Sequence, residues 1–395
     1  MIRVLFVDDE VNVLHAMGRS LHHMRKEWSM EFVASGVAAL EALAARPADV
    51  IVSDMRMPGM DGWQLLAEVK LRHPQTVRLI LSGHADPVSI MRSVGTAHQY
   101  LAKPCESAEL KAAIARTEML RRHLNNATLA LLVGHVGTLP SVPRAFQEIL
   151  DCLQRPEASV ADAAAIIGRD VAMTANVMKL VNSAFFGAPQ PVRTVDRAVA
   201  YLGLETLCAL VLGHSIFKSD LTSAAQKQKL EQLLTHSLDT AITARVIARQ
   251  QGLSVAESEH AYLAGMLHDV GRVVITMHPA LSAAGPRDSA FEGVMDNERH
   301  HAEIGAYLLG LWAFPSPIVE ATAFHHRPSE MPQQGLTLTR LVHFADRMSH
   351  ERHPGGSDQV EGELEPELLE RLGLADRWPV WRQTLDELES PGSLP

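Results

Sequence analysis

The sequence predicts an α/β unit on a doubly wound, five-stranded parallel sheet, followed by an all-α unit. Three observations predict it. Over the first 120 residues, short apolar runs rich in β-branched residues alternate with helix-spaced runs. From Leu139 onward Ala, Leu and Val recur at helical spacing, and few segments resemble strands. A chain of 395 residues exceeds one typical core, so two or three domains are expected.

The expected strands are Arg3 to Val7, Glu31 to Ala34, Val50 to Ser53, Val77 to Leu81 and Tyr100 to Ala102. Between them lie helix-spaced residues such as Leu65, Leu66, Val69 and Leu71. Alternation of this kind implies a parallel sheet covered on both faces. Ligands of such sheets bind outside the carboxyl ends of the strands. Asp8 and Asp9 follow the first strand, Asp54 the third, Ser82 the fourth and Lys103 the fifth. Three carboxylates at close range raise one another's pKa, and a hard divalent cation such as Mg²⁺ relieves the conflict. Lys103 can pair with Asp54 or with a phosphoryl group as a point charge.

With these residues at these strand ends, residues 1 to 120 resemble the receiver domain of response regulators. The resemblance implies that Asp54 is the phosphoacceptor. It implies that Asp8, Asp9, Asp54 and the backbone carbonyl of Arg56 hold Mg²⁺, that Ser82 hydrogen-bonds the phosphoryl group and that Lys103 pairs with it. It also implies that Tyr100 is the aromatic switch residue, expected to turn inward on activation. Pro104, directly after Lys103, is a candidate cis proline.

Glu106 to Leu132 contains no Gly or Pro and has helical spacing. The last receiver helix is therefore expected to run on into a helical linker, residues 121 to 138. A continuous helix can transmit a rotation, or pair with its copy in a homodimer; a plain solvated linker helix is the alternative. Gly134, Gly137 and Pro140 end the pattern.

In the helical unit, LPSVPRAFQEIL (139 to 150) opens with two prolines and then a helix. Ala161 to Ile167 and Ala172 to Val181 read as further helices, with NSAFFG (182 to 187) closing the second. AVAYLGLETLCALVL (198 to 212) is apolar enough for a helix buried on most sides. The LPxxP opening, the NSAFFG run and the AxxYLG helix resemble the first half of the HDOD domain, assigned to 139 to 350.

The second half, from about residue 226, carries the histidines. His236 lies within a long helix, His268-Asp269 end an apolar one, and His301 shares a face with Ile304, Gly305, Leu308 and Trp312. His325 and His326 close a helix opened by Ser316-Pro317, read as cap and first turn. Asp346 lies beside Val342 and Ala345. Imidazoles and carboxylates on the inward faces of five helices are what a buried metal site needs, and an unpartnered carboxylate there would be costly. Nitrogen and oxygen donors in this number suit a pair of Mn, Fe or Zn ions.

This pattern resembles the HD phosphohydrolase superfamily. The resemblance implies His236, His268, Asp269 and Asp346 as ligands, with His301, His325 and His326 as the extra ligands of its HD-GYP branch. The glycine-tyrosine-proline signature is absent, since HHRPSEMP stands there, and Arg272 replaces the expected lysine as the phosphate contact. His300, His343, His350 and His353 read as surface or capping residues. Pro354 to Asp358 is a flexible break, and residues 351 to 395 form an acidic helical extension whose last helix, Asp376 to Leu388, carries Trp378 and Trp381.

The functional expectation is a two-component phosphorelay regulator with an HDOD signalling or protein-interaction output. The rival is a metal-dependent phosphodiesterase acting on a cyclic dinucleotide or other nucleotide. A DNA-binding regulator is the remote alternative: net charge is −10 and the longest basic patch is Arg121-Arg122-His123. Expected partners are a sensor histidine kinase or phosphotransfer protein, a downstream signalling protein and a second copy of the chain. Neither membrane nor nucleic acid is expected. No run approaches a membrane span, the start lacks a signal-peptide pattern, and the three cysteines are scattered, so the cytoplasm is the expected location.

Overall fold

The computed structural model describes residues 1–82, 96–123, 133–134, 136, 139, 148–149, 151–152, 155, 157–182, 192–212, 223–277, 297–331, 335–352 and 366–389. The strands are β1 (Ile2–Val7), β2 (Trp28–Val33), β3 (Val50–Asp54), β4 (Val77–Ser82) and β5 (Gln99–Ala102). They form one parallel sheet in the order β2-β1-β3-β4-β5. Helices α1 (Val11–Ser20), α2 (Gly36–Ala45), α3 (Gly62–Arg72) and α4 (Ser107–His123) accompany it.

The period of two along each strand divides the apolar residues between two layers. Val4, Phe6, Val50, Val52, Leu79 and Leu81 face Leu14 of α1 and Leu110 and Ile114 of α4. Leu5, Val7, Ile51, Ile80 and Tyr100 face Ala39 and Leu43 of α2 and Leu65, Leu66 and Val69 of α3. The sheet is thus buried on both faces, as the alternating pattern required. β2 starts at Trp28, three residues before the expected start, because Trp28 packs fully into the first layer. The expected linker helix is seen only as far as His123; residues 124–132, 140–147 and 183–191 lie outside the described residues, and with them most of the LPxxP and NSAFFG segments.

The helical unit comprises α5 (Val160–Ile167), α6 (Val171–Val181), α7 (Val195–Leu212), α8 (Ala224–Gln250), α9 (Val255–Leu267), α10 (Val270–Met277), α11 (Asn297–Leu311), α12 (Ser316–Phe324) and α13 (Leu338–Arg352). Ser159, Ser223 and Ser254 start α5, α8 and α9 through capping boxes with Asp162, Gln226 and Glu257. Two expectations need correction. The 198–212 segment is not one continuous buried helix: Gly203, with φ 73°, kinks α7, and Tyr201 is exposed. Ser316 is not a cap but the first helical residue, following Pro315, and no side chain caps α12.

α8 packs on α9 and α13, α10 on α11, α11 on α12, and α12 on α13. These contacts bring six helices around one interior. α14 (Pro366–Arg371) and α15 (Trp378–Glu389) cover α8 and α13, burying Leu368, Leu369, Trp381 and Leu385 against Ile247, Phe344 and Met348. Among the described residues no helix is long and apolar enough to cross a membrane.

Candidate phosphorylation site and histidine–aspartate cluster

The first site lies at the carboxyl ends of β1, β3 and β5. Asp8 follows β1, Asp54 closes β3, and Lys103 follows β5 and is joined to Pro104 by a cis peptide bond. Lys103 Nζ donates to Asp8 Oδ2 at 2.7 Å and ion-pairs with Asp54 Oδ1. Burial alone would lower the Lys103 pKa, but its bonds to Asp54 and Asp8 prevail and raise it. The Arg56 backbone N–H donates to Asp54 Oδ2 at 2.8 Å. Gly62 opens α3 against this strand end; a Cβ there would stand 2.0 Å from the Asp54 carbonyl oxygen.

The remaining expected residues lie around this pair. Asp9 is exposed beside buried Asp8, and Arg56 is exposed. Ser82 ends β4 and pairs with Ala102 of β5. Tyr100 is turned into the second core layer.

The second site is an interior cluster. His236 comes from the middle of α8, His268 and Asp269 from the turn between α9 and α10, and His301 from the start of α11. His325 and His326 follow α12, and Asp346 lies in α13. His268, Asp269, His301, His325 and Asp346 are buried. All seven predicted ligands come together.

Ring orientation follows from backbone acceptors. His268 Nδ1 donates to the Gly265 carbonyl at 2.7 Å, and His325 Nδ1 to the Thr322 carbonyl at 2.8 Å. A carbonyl can only accept, so these nitrogens carry a proton, and in the neutral ring each Nε2 is left as a lone pair. The Nε2 atoms converge: His236 to His268 at 3.3 Å, His301 to His325 at 3.4 Å and His301 to His326 at 3.1 Å. His236 Nε2 is 3.1 Å from Asp346 Oδ1, and His301 Nε2 is 3.0 Å from Asp269 Oδ1. Oδ2 of Asp346 is buried and accepts no hydrogen bond.

These observations fit a metal site. Donors at about 2.1 Å from one ion and at right angles stand about 3 Å apart, matching the N···N and N···O spacings. Asp269, His301, His325 and His326 form one donor set; His236, His268 and Asp269 form a second, and His236, Asp346 and His350 a third. Asp269 recurs in two of these sets, as a carboxylate bridging neighbouring ions would; His236 also recurs, but its one lone pair can serve only one ion.

Protons compete for the same nitrogens. Burial opposes charge on His268, but the Asp269 and Asp346 carboxylates prevail and raise it. His350 rises to about 9 against burial, through Asp346. Burial pushes His326 down to about 3 and holds His325 well below the imidazole range. Burial would likewise raise Asp269, yet Arg272 and the neighbouring imidazoles hold it low. Arg272 Nε stands 3.0 Å from Asp269 Oδ2.

Two histidines were misjudged from sequence. His350 is half-buried: its ring is tilted against that of His236, with centroids 4.4 Å apart, and its Nδ1 lies 3.1 Å from Asp346 Oδ1. Its i+4 spacing from Asp346 carried the signal, since such residues share a helix face. His343 is buried and donates from Nδ1 to the His325 carbonyl at 2.7 Å, steadying the turn that carries two of the predicted ligands.

The response regulator receiver domain matches residues 4–115, and the HDOD domain matches residues 139–328. The chain joins a response regulator receiver domain to an HDOD domain. An uncharacterized protein of Treponema pallidum (strain Nichols) is 28% identical over 225 residues, which are 55% of this chain and 43% of that protein. The hydrogenase transcriptional regulatory protein HoxA of Cupriavidus necator is 39% identical over 103 residues, 26% of this chain and 21% of that one. The chain thus spans less than half the length of these curated relatives. Among solved structures, the receiver domain of an HD domain-containing protein from Pseudomonas fluorescens Pf-5 is 27% identical. It covers 31% of this chain and 98% of its own, with TM-score 0.30. The MmoQ response regulator of Methylococcus capsulatus str. Bath is 21% identical and covers 62% of this chain and 98% of its own, with TM-score 0.46. The matches give a response regulator receiver domain followed by an HDOD domain, and receiver domains generally bind Mg²⁺. The HDOD match stops short of α13, which supplies Asp346 and His350.

Proposed function

We propose that a sensor histidine kinase or phosphotransfer protein phosphorylates Asp54, and that the HDOD domain then acts as a metal-holding signalling module on a downstream protein. The observation that carries the receiver half is the single ammonium of Lys103 joined to both Asp54 and Asp8. In this reading Asp8, Asp9, Asp54 and the Arg56 carbonyl hold Mg²⁺, which neutralises charge on an incoming phosphoryl group. Lys103 pairs with that group, Ser82 hydrogen-bonds it, and Tyr100 is the switch residue. Acetyl phosphate is expected to add one acid-labile phosphate to the wild type and none to Asp54→Asn. Equal labelling of the variant overturns the assignment.

In the output domain, the converging Nε2 lone pairs support a pair of Mn, Fe or Zn ions held by His236, His268, Asp269, His301, His325, His326 and Asp346, with His350 as an added donor. Such ions act as Lewis acids toward phosphodiesters when bound. One observation favours the second reading, an HD-type phosphodiesterase acting on a cyclic dinucleotide or other nucleotide. Arg272 lies against Asp269, where a guanidinium can meet a phosphate oxygen beside the ions. Loss of turnover in a folded His268→Ala variant supports that reading. A wild type loaded with metal that hydrolyses no cyclic dinucleotide leaves the signalling role.

A further inference from the structure

The receiver and the histidine–aspartate cluster are joined by one helix. At its C-terminal end, the Leu311 carbonyl of α11 accepts a hydrogen bond from Gln99 Nε2 of β5 at 2.7 Å. Last-turn carbonyls have no partner within their own helix, so the receiver supplies one here. The next residue, Trp312, is buried beneath the Lys179 ammonium of α6, 4.6 Å from its ring centroid. Lys179 in turn donates to the Ala97 carbonyl of the receiver at 3.1 Å. α11 also packs along α4.

The other end of α11 carries His301, which lies about 15 Å away along the helix axis. There α11 meets α10 backbone to backbone at Gly271, directly after the HD turn. A Cβ on Gly271 would stand 1.9 Å from the His301 carbonyl oxygen and 2.8 Å from the Gly305 nitrogen. Backbone in contact with backbone cannot absorb a displacement by rotating a side chain. On the receiver side, β5 runs from Gln99 to Ala102, and Lys103, the partner of Asp54, follows directly. That span is about 13 Å of extended chain.

We propose that α11 is the element through which the receiver's phosphorylation state is imposed on the histidine–aspartate cluster. This rests on the reading of Asp54 and of the cluster given above. Phosphorylation turns a carboxylate into a group of nearly two negative charges and redraws the pairing of Lys103. β5 passes that change to Gln99 and so to the Leu311 carbonyl. α11, held between this joint and the HD turn, delivers it to His301.

The test uses the full chain with Mg²⁺ and beryllofluoride as the phosphoryl mimic. Two quantities are read: hydrogen–deuterium exchange across α11, and Mn²⁺ affinity by calorimetry. In the wild type, beryllofluoride changes α11 exchange and shifts the Mn²⁺ dissociation constant fivefold or more, on the order of ordinary allosteric couplings. In Gln99→Ala, and separately in Lys179→Met, peptides of β1 and β3 still respond. In both variants the α11 response disappears and the Mn²⁺ shift falls below twofold. An α11 that ignores beryllofluoride in the wild type overturns the relay even if Mn²⁺ binds. Variants that keep the full Mn²⁺ shift overturn it as well. A responsive α11 in a protein that binds no Mn²⁺ supports the relay and overturns the metal reading alone.

Discussion

Gly271, the glycine of the HDVG motif, is the residue whose side-chain absence the cluster depends on most. An alanine there puts a methyl carbon 1.9 Å from the His301 carbonyl oxygen, whereas real Cβ contacts essentially never fall below 3.0 Å. α10 and α11 must part by about 1 Å, and neither side can yield by rotamer change because the opposing atoms are backbone. Overpacking of this kind costs about 3 kcal/mol, the upper part of its usual range. Metal donors tolerate only about 0.2 Å of misplacement. Gly271→Ala therefore takes His301 out of its donor set as well as loosening the fold. Urea unfolding followed by far-UV circular dichroism should show a lowered midpoint, and elemental analysis should show less than half the wild-type metal. Gly18→Ala in α1 is the contrast, because the nearest atoms are the Phe32 ring at 3.6 Å. There alanine is expected to stabilise by about 0.5–1 kcal/mol through helix propensity. A Gly271→Ala protein with wild-type midpoint and wild-type metal would refute this reasoning.

Two further outcomes follow from the joint and from the receiver surface. Arg78 is fully buried and donates to the carbonyls of Thr96, Thr76 and Gly134. Arg78→Ala leaves those acceptors dry and should cost about 3–5 kcal/mol, with limited proteolysis cutting between the domains; an unchanged digestion pattern contradicts this. Burial, then the charge of Glu109, pushes the Cys105 thiol up to about 11. A raised thiol pKa means less thiolate at neutral pH, so peptide-resolved alkylation of Cys105 should stay slow at pH 8 and climb toward pH 11. A midpoint near that of a free thiol contradicts the burial.

The sheet and its chemistry were legible because both are local. A period of two marks the strands, and an acid or a lysine directly after a strand end needs no long-range knowledge. The histidine cluster was legible in another way: His236, His301 and Asp346 lie on apolar helices, His268, Asp269, His325 and His326 directly after helix ends, and the resemblance to the HD pattern named all seven before their convergence was known. His350 was lost because a lone histidine near a helix end has bland explanations, although its spacing from Asp346 pointed inward. The kink at Gly203 was lost because the apolar pattern continues across it. The joint was not legible at all. Arg78 reaches Gly134, Lys179 reaches Ala97, and Gln99 reaches Leu311 across 212 positions of sequence. Their partners are backbone carbonyls, which no residue type announces.

The central claim is that the cluster holds metal. Elemental analysis of untagged protein, grown with Mn and Fe supplied, tests it most directly, against a folded His268→Ala/Asp269→Ala variant. About two ions per wild-type chain are expected, as in other two-metal sites, and their loss in the variant. A wild type without metal would contradict it and leave the converging imidazoles as hydrogen-bonded core.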